Sequence, residues 1–391
     1  MANLFGLVRI MLIVAGLWPL EIPNVSTFWQ RLYKLYYAFS FGIYVTFPFP
    51  FICALINDIE NQQPRVLEEF SRLVFVIMII FKMMIIRSQK IKDMIILLSS
   101  DEKKILLNKD RYILRIYQFH VGYCKKIIFF VAASLYVTGS INVLNGFFEL
   151  YKWSKVNQLP KEKGPKPHLV PFWFPFNKDK YYVLFMTYEV WHIVQTLTVN
   201  GAVQALINAV MVFLRANLKI LQYHIKNFDG NCNINSREDY IKCATKSLTG
   251  LILRHQQLIK WVKDLDSSFK NIFLIEYSVT SIQLATVLIQ IIELVHIPFN
   301  GTFFIHCTLQ LLAICWNANE IIIESSTGLL EALYSSNWFN QPKQISFLIY
   351  FMMIRCGRPL SLRIGPFGNM DLNAALSRVK LAYSCVSVLK A

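Results

Sequence analysis

Hydrophobic residues in this chain gather into uninterrupted stretches separated by polar and basic intervals, and that alternation predicts a bundle of membrane-spanning helices. Seven stretches stand out: Leu32 to Ile56, Phe70 to Ile86, Ile127 to Phe148, Tyr182 to Leu214, Ile272 to His296, Phe299 to Ile323 and Leu372 to Leu389. A helix needs about 20 apolar residues to cross the hydrocarbon core of a bilayer. The first six meet that requirement by length and scarcity of charge. The seventh carries Asn373, Arg378, Lys380 and several serines, so hydropathy alone leaves it undecided. A further apolar stretch, Leu4 to Leu20, has the look of a signal peptide, but Arg9 is its only basic residue and no small-x-small cleavage site follows. It is expected to be retained as a short interfacial or re-entrant segment.

Lysine and arginine in the intervals predict the orientation, because basic loops favour the cytoplasmic side. The second interval holds Arg87, Lys90, Lys92, Lys103, Lys104, Lys109, Arg111, Arg115, Lys125 and Lys126; the fourth holds Arg215, Lys219, Lys226, Arg237, Lys242, Lys246, Arg254, Lys260, Lys263 and Lys270. Both are read as cytoplasmic. The first interval, with Asp58, Glu60, Glu68 and Glu69 against Arg65, is read as external. The third, with seven lysines between Lys152 and Lys180, dissents from the bias but is less basic than the inner two. The expected fold is therefore an all-α membrane protein with seven transmembrane helices, amino terminus inside and carboxyl terminus outside.

Helical periodicity continues beyond the apolar stretches. Leu248, Leu251, Ile252, His255, Leu258, Ile259 and Val262 repeat at helical spacing, as do Leu329, Leu330, Leu333 and Tyr334. A packed helical bundle beneath the membrane follows. The expected division is 1–30 as a cytoplasmic or interfacial segment, 31–214 as the first four spans, 215–270 as a cytoplasmic helical extension, 271–323 as two more spans, 324–365 as cytoplasmic helices and 366–391 as the seventh helix.

Composition sharpens this picture. Charged residues make up 16% of the chain and hydrophobic ones 55%, against roughly a quarter charged in an ordinary soluble domain. The net charge of +16 is spread over the loops rather than gathered in one patch, so it is read as a topology signal and not as a nucleic-acid surface. The eight cysteines form no CxxC pair, so neither a zinc site nor a disulfide framework is indicated, and free buried thiols are expected for most.

Motifs for chemistry are few. Asp110-Arg111-Tyr112 spells a tripeptide known from rhodopsin-like receptors, but it precedes the third span and reads as a solvated helix turn. The sequons at Asn24 and Asn300 are read as unmodified, one cytoplasmic and the other too close to the bilayer. Lys82, Glu189 and Glu293 lie near helix ends, where snorkelling explains them, whereas Glu276 and Glu320 are expected to pair with basic residues of the inner bundle. No HExxH, GxSxG or phosphate loop occurs, and no enzyme activity, cofactor or metal is expected. What remains is a ligand site in the outer half of the bundle, formed by Phe75, Met78, Tyr136, Ser140, Leu144, Phe147, Phe185, Tyr188, Trp191, His192, Phe303, His306 and Cys307. Such side chains hold a small apolar molecule by dispersion, with one or two hydrogen bonds to orient it; ordinary helix packing accounts for them equally well.

Several stretches then match one family. Gly16-Leu17-Trp18-Pro19, Glu331-Ala332-Leu333-Tyr334 with Trp338, the run Met352 to Gly365 with Pro359-Leu360, and Phe367-Gly368 with Leu372 and the tail Lys380 to Leu389 resemble the insect odorant receptors across nearly the whole chain. The resemblance implies a multi-pass plasma-membrane receptor of olfactory neuron dendrites that binds a small volatile organic ligand. It further implies assembly with an odorant co-receptor into a hetero-tetrameric cation channel, with the cytoplasmic helices as anchor. The last helix would line the pore through Tyr383, Ser384, Ser387 and Val388. A gustatory receptor of the same superfamily is the nearest alternative; a G-protein-coupled receptor conflicts with the loop charges, and a transporter with the absence of an inverted repeat.

Overall fold

The computed structural model describes residues 3–22, 25–61, 66–156, 166–170, 172–173, 176, 180–230, 232, 236–294 and 296–390; the side chains at 67, 68 and 385–390 are not among those described. The described elements are helical, joined by short connections and a single isolated β-bridge, Arg363 to Asn369. Five helices combine enough length and hydropathy to cross a bilayer: Thr27–Glu60, Arg111–Lys155, Tyr182–Lys226, Arg237–Ile292 and Ile297–Tyr334. Two further helices, α4 (Val66–Ile86) and α12 (Leu372–Lys390), fall on the remaining two of the seven stretches expected from hydropathy.

The first stretch is broken rather than continuous. Helix α2 (Thr27–Thr46) passes into α3 (Pro48–Glu60) through Phe47. Pro48 has no N–H to give to the preceding turn, which ends one helix and starts the next. Short α1 (Leu4–Val14) lies against α7 (Tyr182–Lys226) and buries Leu4, Phe5, Val8 and Leu12. After it the chain turns at Gly16, whose φ is +66° and where an added Cβ would come within 2.9 Å of Ser40 Oγ, leaving no room for a side chain.

Three helices run far beyond the thickness of a membrane. α6 (Arg111–Val156) has 46 residues, α7 has 45 and α8 (Arg237–Ile292) has 56, so the longest spans about 84 Å against ~30 Å of hydrocarbon. Their ends pack with α5 (Gln89–Leu106), α10 (Leu329–Tyr334) and α11 (Lys343–Cys356) into a second bundle. Charge pairs bind this bundle. Arg254 on α8 reaches Asp101 on α5 at 2.6 Å and Asn217 on α7 at 2.6 Å. Arg215 and Lys219 on α7 meet Glu320 (2.6 Å) and Glu324 (2.7 Å) at the end of α9 (Ile297–Ile323). There the helix widens into a π turn, Glu324–Gly328, which Gln222 of α7 fills by donating to the Glu324 carbonyl at 3.0 Å.

α7 is the hub, buried along almost its entire length. In its middle, Asn200, Gln204 and Asn208 share one face and meet polar groups from three other helices. Lys82 on α4 donates to Asn200 Oδ1 (3.0 Å) and lies 3.3 Å from Glu276 Oε2 on α8. Asn200 donates to Gln310 on α9 (3.0 Å), and Gln310 and Gln204 both donate to Glu276 Oε1. Lys82 is 1% exposed, so snorkelling is excluded; its partner is Glu276, which pairs within the span rather than with the inner bundle. A charge in hydrocarbon without such a partner costs at least about 2.5 kcal/mol. Glu189 is likewise buried by its hydrogen bonds, and not drawn to an interface.

Two local readings are settled by capping and covalent geometry. Asp110 sits before α6 and accepts from the Tyr112 N–H at 2.8 Å, an ordinary helix start. Cys232 and Cys243 form a disulfide, contrary to the expectation of no bridge, because the turn after α7 brings the first turns of α8 back beside it. Cys53, Cys124, Cys307, Cys315 and Cys356 are free.

Candidate functional site

Two turns along the bundle from the Lys82 cluster, towards the ends of α4, α6, α7, α8 and α9 nearest the loop at 166–176, the helices part around a cavity of about 150 Å³. That is the size of a cavity that takes up a benzene-sized molecule. Its apolar lining is Phe75 and Val76 from α4, Leu135 from α6, Ile193 and Leu197 from α7, Val287 from α8, and Phe299 and Phe303 from α9. Polar side chains are interspersed with it: Ser71 and Arg72 from α4, Thr138 and Asn142 from α6, His192 and Thr196 from α7, Gln283, Thr286 and Gln290 from α8, and Asn300 from α9. Asn300, the sequon asparagine, is 1% exposed and turned into the bundle.

A loop covers part of the cavity. The Leu169 and Val170 N–H groups donate to Glu189 Oε2 (2.8 and 3.3 Å), while His168 Nδ1 lies 2.8 Å from Glu189 Oε1. Held this way, Leu169 and Val170 line the cavity, and the Trp173 N–H donates to the Pro50 carbonyl of α3 at 3.2 Å. A layer of rings stands beside them: Phe47, Phe51 and Phe172 pack on His192, with Phe47 4.5 Å from it centroid to centroid, and Tyr188 packs on Phe47 and Phe172. Beyond that layer a second recess of about 820 Å³, almost wholly apolar, opens between α2 and α7.

The residues expected at the site separate into groups. Phe75, His192 and Phe303 line the cavity of about 150 Å³. Phe185, Tyr188 and Trp191 line the outer recess with Phe39 and Ile43. Met78, His306 and Cys307 are buried nearby; Ser134 Oγ meets His306 Nδ1 at 3.0 Å, and Cys307 Sγ lies 3.9 Å from Gln283 Oε1. Tyr136, Ser140, Leu144 and Phe147 fall on the exposed face of α6, opposite Leu135, Thr138, Gly139 and Asn142. In a bilayer both faces of a span are apolar, so hydrophobicity does not tell which turns inward. The signal that does is the pair of polar residues Thr138 and Asn142 with small Gly139 between them, a face that faces protein rather than lipid. Of the expected pore positions, Tyr383 is 72% exposed and Ser384 is exposed, whereas the side chains of Ser387 and Val388 lie outside the described residues.

The family model described as 7tm Odorant receptor matches residues 63–383. The chain belongs to the odorant receptor family. Odorant receptor Or2 of Anopheles gambiae is 25% identical to it over 139 residues, which cover 35% of this receptor and 36% of that one. Odorant receptor 33b of Drosophila melanogaster is 22% identical over 223 residues, covering 55% and 57%. The chain thus spans about a third to somewhat over half of the length of these relatives. The fold of the insect olfactory receptor OR5 from Machilis hrabei superposes with a TM-score of 0.81 at 15% identity, over 98% of this receptor and 97% of that chain. The structure of OR5 in complex with eugenol superposes with a TM-score of 0.77.

Proposed function

We propose that this chain is the ligand-binding subunit of a cation channel opened by small volatile organic molecules. The observation that carries the reading is the cavity of about 150 Å³, lined by aromatic and aliphatic side chains interspersed with hydrogen-bonding groups, within an odorant-receptor fold. A ligand held better by the open state than by the closed one shifts the population towards opening. The eugenol complex of OR5, a protein of the same fold, supports a small aromatic ligand.

The remaining parts of the proposal rest on the same fold. α12 packs on α8 and α9, which both line the cavity, and leaves Tyr383 and Ser384 exposed for a water-filled pore shared with other subunits. The Tyr277 hydroxyl of α8, next to Glu276, donates to the Ala374 carbonyl of α12 at 3.1 Å, a direct tie between the polar cluster and that helix. An odorant co-receptor supplies the other subunits, and the bias of basic loops towards the cytoplasm supports an amino terminus on the cytoplasmic side of the plasma membrane.

The test is current from cells expressing the chain with and without an insect odorant co-receptor, under a panel of volatiles and with G-protein signalling blocked. A rapid cation current that requires the co-receptor and survives the block is expected. Current that vanishes under the block would refute the channel reading. Replacing Phe303 with Trp, which fills the cavity, is expected to abolish or re-rank the responses without preventing assembly.

A further inference from the structure

The polar side chains of the cavity are not equivalent. The Thr138 and Thr286 hydroxyls are turned back on their own helices, donating to the Ser134 and Ile282 carbonyls at 2.8 and 2.9 Å. Thr196 departs from that habit: its Oγ1 lies 3.0 Å from the Tyr44 hydroxyl and 3.5 Å from His192 Nε2. The other ring nitrogen, His192 Nδ1, is buried with no partner, on a side chain 7% exposed that lines the cavity. A buried polar atom left unpaired is costly and uncommon, and it calls for a partner that arrives from outside the fold.

The proton on that nitrogen follows from the row of groups behind it. A phenol is the stronger acid, so Tyr44 donates to Thr196. In the arrangement we adopt, Thr196 directs its own hydrogen to His192 Nε2, which accepts it. In a neutral imidazole one nitrogen accepts and the other carries the proton, so Nδ1 is the N–H. We infer that His192 presents a hydrogen-bond donor to the cavity and selects ligands that carry an acceptor oxygen, such as ketones, esters and aldehydes, over hydrocarbons of the same shape. This rests on the cavity being the ligand site. A site built to hydrogen-bond its ligand discriminates strongly against the analogue that leaves its donor unpaired.

Acetophenone and ethylbenzene test it, being matched in ring and carbon count and differing in the carbonyl. Binding to the full-length chain in lipid nanodiscs is measured as the ratio of their Kd values. The parent is expected to favour acetophenone about tenfold, the equivalent of one net hydrogen bond to a neutral acceptor. His192→Phe is expected to bring the ratio to about one by weakening acetophenone alone, and His192→Gln, which keeps an N–H donor, to restore part of it. Tyr44→Phe is expected to lower the ratio while leaving ethylbenzene binding unchanged, because it releases the tautomer without touching the apolar wall. No preference for acetophenone in the parent, or an unchanged preference in His192→Phe, overturns the inference. Phe303→Trp separates the two readings: if both ligands still bind with parental affinity, the cavity itself is not the site, whereas loss of both with the His192→Phe ratio unchanged sinks only the donor assignment.

Discussion

Glu276 takes two side-chain hydrogen bonds on one oxygen and faces Lys82 with the other, so its charge is held by donors from three helices. Removing one member of such a pair is worse than removing both, because the survivor keeps the full cost of desolvation. Lys82→Met or Glu276→Gln alone is expected to destabilise the receptor by about 3–5 kcal/mol, and the double variant to recover most of that loss. Thermal unfolding of detergent-purified receptor, followed by size-exclusion chromatography, measures it; a double variant no better than the singles would refute the pairing. Outside the membrane, burial among the α8 neighbours, with Arg355 adding to it, lowers the His255 pKa to about 4. The unfolded chain titrates near 6.5 and so binds more protons than the fold between those values. The stability contribution of neutral His255 is complete above about pH 6.5 and is lost as the pH falls towards 4. The melting temperature should therefore drop between pH 7 and 5 in the parent and drop less in His255→Gln.

One side chain of α5 ties it to both α1 and α6. Glu102 of α5 accepts from the Leu4 N–H at 2.7 Å, at the first turn of α1, and from the Tyr117 hydroxyl of α6. The donor end of a helix attracts negative charge, and a carboxylate there satisfies an N–H with no partner in its own helix. Glu102→Ala is expected to cost about 1.5–3 kcal/mol and to raise amide exchange selectively across Leu4–Val14. Exchange rising equally in α5 and α6 would mean that the bundle itself, and not the attachment of α1, had been lost. α6 illustrates a different element-level principle. Its exposed stripe of Phe129, Tyr136, Leu144 and Phe147 is as apolar as its buried one, and only Thr138, Gly139 and Asn142 tell the two apart. Adding a methyl group at Gly139 would bring it within 2.4 Å of Leu197 Cδ1 on the cavity wall. Gly139→Ala is thus expected to narrow the ligand range to smaller molecules, read from concentration–response curves over a homologous series.

Across the whole molecule, length and hydropathy disclosed the helices because lipid imposes one demand on every span, an unbroken apolar run. They also disclosed the long inner ends of α7 and α8, since Leu248, Leu258 and Val262 keep helical spacing where the hydrocarbon ends. The partners of polar residues were not legible in that way. Lys82 and Glu276 stand far apart in the chain, and nothing in either neighbourhood names the other; packing α4 on α8 joins them. The cavity wall was partly legible: α7 and α9, singled out by their aromatic residues, do contribute to its lining, while the inward side of α6 and the contribution of Leu169 and Val170 are set by tertiary packing.

The Lys82 and Glu276 pair also bears on how such a receptor changes over generations. Either charge lost by itself leaves the other stranded in the interior, so a lineage reaches a neutral interior through a poorly folding intermediate or by both changes together. Descendants that vary freely around their ligand cavities are therefore expected to inherit these two positions as one character, with both charges or neither.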